Sequence, residues 1–263
     1  MSPGVSTVVL VAIGIVLFCG GTVKGAAGFG YGMVSLSLLT VVVDPQVAVV
    51  LMIIPPIAAN LDLVRELGRD DVKRCGQRFS LFIVGAIGGT LLGMALLTRL
   101  PTAALTFVIG LIVLTYVLFR QEAIALPLPQ TEHLGLRYFR PSESTKAGFG
   151  FVGGVVFGGA SLAVLMITYL DSLKLERSLF VGTVAMILLG ISTVRIGTAW
   201  MLGLYGSAAL LVLSAGAAVP GVLGVATGAR IRHKLSDRYV EAGVHLLLTV
   251  AGLKLTLGGL GLL

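Results

Sequence analysis

Lys24 stands in the stretch GTVKGAAGFGYG, residues 21–32, and no other Asp, Glu, Lys or Arg occurs between Met1 and Val43. A charge at the centre of a bilayer costs about 2.5–3.5 kcal/mol on insertion scales, so a lysine kept there implies a use. The glycines around it suit a broken helix, which is tolerated at membrane depth only when it is buried in protein or lines a wet cavity. A helix restarting after GFGYG turns its unpaired N–H groups and the positive end of its dipole toward the break. A lysine beside a helix N-terminus is equipment for holding a small anion. The candidate ligands here are Lys24, the backbones of Gly28, Gly30 and Gly32, the ring of Phe29 and the hydroxyls of Tyr31 and Ser35. Two blander readings stand beside this one: close helix packing through the glycines, and a lysine that snorkels to an interface.

A second stretch answers the first. GGVVFGGASLAVLMITYLD (153–171) resembles GAAGFGYGMVSLSLLTVVV (25–43), pairing Gly25 with Gly153, Phe29 with Phe157 and Gly30 with Gly158. Phe157, Gly158, Gly159 and Ser161 therefore join the candidate site, with the Phe157–Ser161 backbone as a source of N–H donors. The helix is expected to break at Gly153-Gly154 or at Phe157-Gly158-Gly159. Further on, Arg65 pairs with Arg195, and GAIGGTLLG (85–93) with GAAVPGVLG (216–224). Ordered agreement of this kind is the signature of an internal repeat.

Other polar residues lie in apolar surroundings. Asn60, Asp62 and Arg65 occur in IAANLDLVREL; Asn60 is a cavity-lining candidate, whereas Asp62 and Arg65, one turn apart, read as an interfacial ion pair or a vestibule. Arg195 either draws anions into an outer vestibule or marks the interface beside Trp200. His245 is a proton-relay candidate, with an interhelical hydrogen bond as the commoner use. No HExxH, GxSxG or Walker A motif is present, so no catalytic residue, cofactor or metal is expected. Cys19 and Cys75 are too far apart in kind and place for a metal knuckle.

The elements that must position these residues are membrane helices. The chain of 263 residues is 56% hydrophobic and 12% charged, with mean hydropathy +1.02, which excludes an ordinary soluble domain. Residues 79–98, 100–119, 147–170, 178–194 and 196–229 contain no charged side chain, and about 20 apolar residues cross a bilayer as a helix. The net charge of +7 sits in short connections, as the positive-inside rule requires, and is no sign of a nucleic-acid partner. The first segment lacks a basic leader and an A-x-A site, so it reads as a membrane segment and not a cleaved signal.

Loop charge fixes the expected topology. In the first half the basic loop 65–78 comes before the poor one at Arg99; in the second half the poor loop comes first and the basic one, 230–238, follows. Equivalent loops of opposite bias predict inverted repeats. Treating 147–170 as a hairpin gathers nearly all Lys and Arg on the cytoplasmic side, leaving Lys24 as the embedded exception. The expected fold is therefore all-α: repeat 1 over 1–120, a cytoplasmic linker over 121–143 and an inverted repeat 2 over 144–263. Each repeat is a glycine-broken hairpin followed by three transmembrane helices, and both termini lie outside.

KGAAGFGYGMVSLSLL, GFVGGVVFGGASLAVLMI and the late GARIRHKLSDRYVEAGVHLLLTVAGLKL (228–255) together resemble the sulfite exporter TauE/SafE family, also called the toluenesulfonate uptake permeases. The resemblance runs from about residue 8 to 257. It implies a multi-pass protein of the bacterial inner membrane that transports small sulfur-containing or organic anions such as sulfite, sulfonates or sulfoacetate, driven by the proton gradient. Many members carry a proline a few residues after each elbow, where this chain has Ser35-Leu36 and Val164-Leu165. The residues themselves leave open a passive anion channel or a non-transporting scaffold. Expected partners are a small anion and membrane lipid, and a homo-oligomer is compatible with this reading.

Overall fold

The computed structural model describes residues 6–27, 30–65, 69–119, 143–173, 175, 177–232 and 237–262. The expected linker 121–143 falls, but for Glu143, outside them. Apolar runs without charges satisfy their backbone internally, and the described residues form twelve helices. In chain order these are α1 (Thr7–Ala27), α2 (Tyr31–Val42), α3 (Pro45–Leu51), α4 (Pro55–Arg65), α5 (Arg69–Arg78) and α6 (Ser80–Leu97). They continue as α7 (Thr102–Phe119), α8 (Glu143–Ala160), α9 (Val164–Ser172), α10 (Arg177–Met201), α11 (Ala208–Ile231) and α12 (Asp237–Gly259). Five stretches within them, Thr7–Ala27, Ser80–Leu97, Gly182–Met201, Ala208–Ile231 and Ala242–Gly259, are long and apolar enough to cross a membrane. The protein is an all-helical, multi-pass membrane protein.

Two compact units are present, and each draws on both sequence halves. Unit 1 comprises Met1–Pro55, Leu100–Ala125 and Tyr205–Leu263; unit 2 comprises Pro56–Arg99 and Leu126–Leu204. Packing is thus shared between the two sequence halves, because each hairpin takes its main partner helix from the other half.

In unit 1, α1 buries Ile13, Leu17, Gly20 and Gly21 and exposes Val8, Val11, Ile15 and Phe18. An apolar stripe turned outward is what a lipid-facing helix requires. Gly21 and Gly25 meet the carbonyls of Gly221 and Val225 on α11, while Gly224 and Gly228 meet those of Phe18 and Thr22 on α1. Residue numbers rise together along this contact, so α1 and α11 run parallel. The α7–α12 pair is antiparallel, with Gly110 against Thr256 and Gly259 against Phe107. Helix α3 starts on Pro45 behind an Asp44 cap whose Oδ1 accepts from the Gln46 N–H at 2.8 Å; its end is closed by Ser214 Oγ donating to the Leu51 carbonyl at 2.9 Å.

In unit 2 the same design recurs between α6 and α8. Gly85, Gly89 and Gly93 meet the carbonyls of Ala147, Phe151 and Val155; Gly150, Gly154 and Gly158 meet those of Phe82, Ala86 and Thr90. Glycine every fourth residue on both helices leaves no Cβ at the points of closest approach, so the backbones touch there. Thr90 Oγ1 adds a hydrogen bond to the Gly154 carbonyl at 3.3 Å.

Both glycine-rich segments reverse direction. Phe149 on α8 stacks on Tyr169 on α9 with ring centroids 4.8 Å apart; a continuous helix would hold residues so far apart in sequence about 30 Å apart. Tyr169 also stacks on Phe82 of α6 at 5.3 Å, and Gly153 lies against Met166. In unit 1, α2 folds back on α1 so that Ser35 seats on Gly20.

The second break falls later than the sequence suggests. Gly153, Gly154, Phe157, Gly158 and Gly159 are helical, and the chain leaves the helix at residues 161–163. Gly154 and Gly158 are occupied in bringing α6 close, and a regular helix is what keeps those contacts in register. Of the glycines paired by sequence, Gly25 lies on the Val225 carbonyl and Gly153 against Met166, while Gly85 lies on the Ala147 carbonyl and Gly216 touches nothing within 4 Å. The expected basic loop 65–78 contains a helix, α5. Its buried Cys75 and the buried Phe79 that follows one turn later anchor it, while Lys73, Gln77 and Arg78 are exposed. Cys75 Sγ lies 3.1 Å from Thr183 Oγ1 on α10.

Candidate functional site

The second hairpin brings three candidate residues together. Arg195, on α10, is fully buried, with 0% of its surface exposed. Its Nη2 donates to Ser161 Oγ at 2.7 Å, and its Cζ stands 4.8 Å from the centre of the Phe157 ring. A guanidinium over an aromatic face is held by the ring quadrupole and keeps its charge at any physiological pH.

Local sequence explains the geometry. Ser161 closes α8, its N–H donating to the Phe157 carbonyl at 2.9 Å. It then adopts φ 53°, the only positive φ outside glycine among the described residues. Such a conformation is costly for a side chain bearing a Cβ and is kept where surrounding contacts hold it. Here the Arg195 bond fixes the hydroxyl, and Leu162 beside it is buried. The chain re-enters a helix at Val164.

These observations correct two expectations. Arg195 is no interfacial marker beside Trp200: Trp200 is 65% exposed while Arg195 is enclosed, because a separation of five residues sends the two side chains to different faces. The Phe157–Ser161 amides are not free donors either, since Gly158 and Gly159 are inside α8 and the Ser161 N–H is bonded to Phe157. The sequence did hold a signal for Arg195. It is the lone charge between residues 178 and 229, just as Lys24 is the lone charge of the first segment.

Unit 1 holds a different set. Lys24 lies in the last turn of α1 and is partly buried. Gly30 caps α2 at φ 91°, a left-handed angle that glycine adopts without steric penalty. The first α2 bond runs from the Val34 N–H to the Gly30 carbonyl at 2.9 Å, so the amides of Tyr31, Gly32 and Met33 precede the helical ladder. Tyr31 and Ser35 are buried, and neither hydroxyl has a hydrogen-bond partner among the described residues. Gly28 and Phe29 lie outside the described residues. His245, on α12 of this unit, is buried, and its carbonyl accepts from Thr249 Oγ1 at 2.7 Å.

Three further candidates lie on α4. Asn60 is buried on α4, where its Nδ2 donates to the Pro56 carbonyl one turn back at 2.7 Å. The side chains of Asp62 and Arg65 lie outside the described residues. Sequence reasoning missed the Phe82–Tyr169–Phe149 stack that closes the second hairpin, because aromatics on three separate helices show no shared periodicity.

A family model described as sulfite exporter TauE/SafE matches residues 13–255, nearly the whole chain. No curated protein and no solved structure matches it. With its apolar helices, its two reversed hairpins and this match over both, the chain belongs to the sulfite exporter TauE/SafE family.

Proposed function

We propose that the protein exports small sulfur-containing or organic anions, such as sulfite, sulfonates or sulfoacetate, across the bacterial inner membrane by secondary-active transport coupled to the proton gradient. The observation that carries this reading is the buried Arg195 guanidinium at the break of the second hairpin. A permanent cation beside interrupted backbone within an apolar segment is suited to anions. Lys24 and the leading amides of α2 supply a second set of anion-attracting groups in unit 1. Glycine packing alone, all that a scaffold needs, calls for neither cation. The inverted arrangement with both termini outside belongs to the same proposal. It is supported by the parallel sense of α1 with α11 and of α6 with α8, since parallel neighbours enter from one face.

The test is a thermal-shift screen of purified protein against sulfite, sulfate, thiosulfate, sulfoacetate, taurine and acetate, followed by counterflow in proteoliposomes. A sulfur oxyanion is expected to raise the melting temperature, and unlabelled anion on the far side to accelerate labelled flux. Collapsing the proton gradient is expected to abolish uphill transport. Flux without trans-stimulation would make the protein a channel, and no response to any anion would remove the transport reading.

A further inference from the structure

The Arg195–Ser161 contact is built as an exchangeable one. We propose that it is the anion-free state of a binding subsite in unit 2, in which a sulfur oxyanion displaces the Ser161 hydroxyl from Arg195 and so releases the hairpin break. This inference rests on the anion-transport reading and adds to it a ligand-sensing latch.

Three observations support the exchange. First, the acceptor of the Arg195 Nη2 bond at 2.7 Å is a neutral hydroxyl oxygen. An anionic oxygen makes a charge-assisted bond on both sides, roughly twice as strong as a neutral one, and two oxygens on one centre fit the guanidinium fork. Sulfite and sulfonates present that face, as does a carboxylate, but the sulfur anions retain a third oxygen for another donor. Second, Phe157 lies beneath the guanidinium at 4.8 Å, which fixes its plane while the edge exchanges partners. Third, Ser161 is the residue at φ 53°, and α9 begins three residues later. Loss of the Arg195 bond removes one restraint from a backbone angle that serine rarely adopts, so residues 161–163 become able to relax. Ligand capture is thereby tied to the segment on which reversal of the chain depends.

Ser161→Gly separates this proposal from a structural role. Glycine accepts φ 53° without penalty and removes the competing hydroxyl. In full-length purified protein, sulfite and sulfoacetate are expected to bind Ser161→Gly about 2- to 10-fold more tightly than wild type, the range spanned by one neutral hydrogen bond. Arg195→Lys keeps the charge and loses the fork, and it is expected to weaken sulfoacetate at least about tenfold and to narrow its advantage over acetate. Ligand-free melting and gel filtration show whether each variant folds; if Arg195→Lys does not, Ser161→Gly carries the test alone. Sulfite binding to Ser161→Gly that is unchanged or weaker overturns the latch. Wild-type protein that binds none of these anions overturns the transport reading and the latch together.

Discussion

Hairpin α1–α2 and hairpin α8–α9 each lean along a parallel neighbour through glycines, Gly21 and Gly25 against Gly221 and Val225, and Gly150 and Gly154 against Phe82 and Ala86. The contacts correspond glycine for glycine, yet the tips differ. Gly30 turns the first at φ 91°, with Lys24 supplied by α1 of the same hairpin. Ser161 turns the second at φ 53°, with Arg195 supplied by α10. The flanks are alike because each of these glycines lies directly on a facing backbone carbonyl, where a Cβ has no room. The tips lie beyond the seam, so the residue that bends the chain and the cation beside it are able to diverge.

The largest effect expected from breaking this likeness is at the seam. Gly154→Leu sets a branched side chain against the backbone carbonyl of Ala86, and a cost above about 5 kcal/mol, beyond ordinary core substitutions, is expected, read as loss of folded protein on gel filtration. Gly148 in the same helix touches nothing within 4 Å, so Gly148→Ala is expected to leave melting unchanged or raised. Equal damage at both glycines would sink the seam argument.

Next comes the device that closes the second hairpin. Tyr169→Ala removes the central ring of the Phe82–Tyr169–Phe149 stack and is expected to cost about 3–5 kcal/mol, the usual range for an aromatic core truncation. Thermal unfolding in detergent measures it.

The cations sharpen the contrast in function. Arg195→Gln is expected to reduce proteoliposome flux by at least about tenfold, as for a lost charge-assisted hydrogen bond. Lys24→Gln is expected to reduce flux less, since Lys24 is only partly buried in the protein whereas Arg195 is fully enclosed. The reverse order would move the principal anion contact to unit 1.

The smallest effects come from buried hydroxyls without partners among the described residues, such as Ser35 Oγ in the first hairpin and Tyr169 OH in the second. Ser35→Ala and Tyr169→Phe remove an unsatisfied group and keep the packing, so each is expected to stabilise by about 1 kcal/mol. A loss of stability in either would mean that its hydroxyl has a partner in the folded protein.

Much of the architecture was legible in the residues. Charge-free runs marked the helices, because a segment in hydrocarbon must satisfy its own backbone and exclude charge. Glycine-rich stretches marked two reversals, and lone charges in apolar surroundings marked Lys24 and Arg195. Register was not legible. In a run such as GFVGGVVFGGAS, adjacent glycines match the other half equally well, and only the carbonyl each one touches tells Gly154 from Gly153.

By itself, then, the sequence determined which segments are helical and apolar, and that charge is rare within them. These properties follow from the transfer of individual residues out of water, and a one-dimensional string records them. The tertiary structure alone decided that α8 runs on to Ala160, that Ser161 makes the turn, and that α10 delivers Arg195 to it. Those facts depend on which distant backbones meet, and contact between α6 and α8 is a cooperative property of two surfaces that neither segment specifies alone.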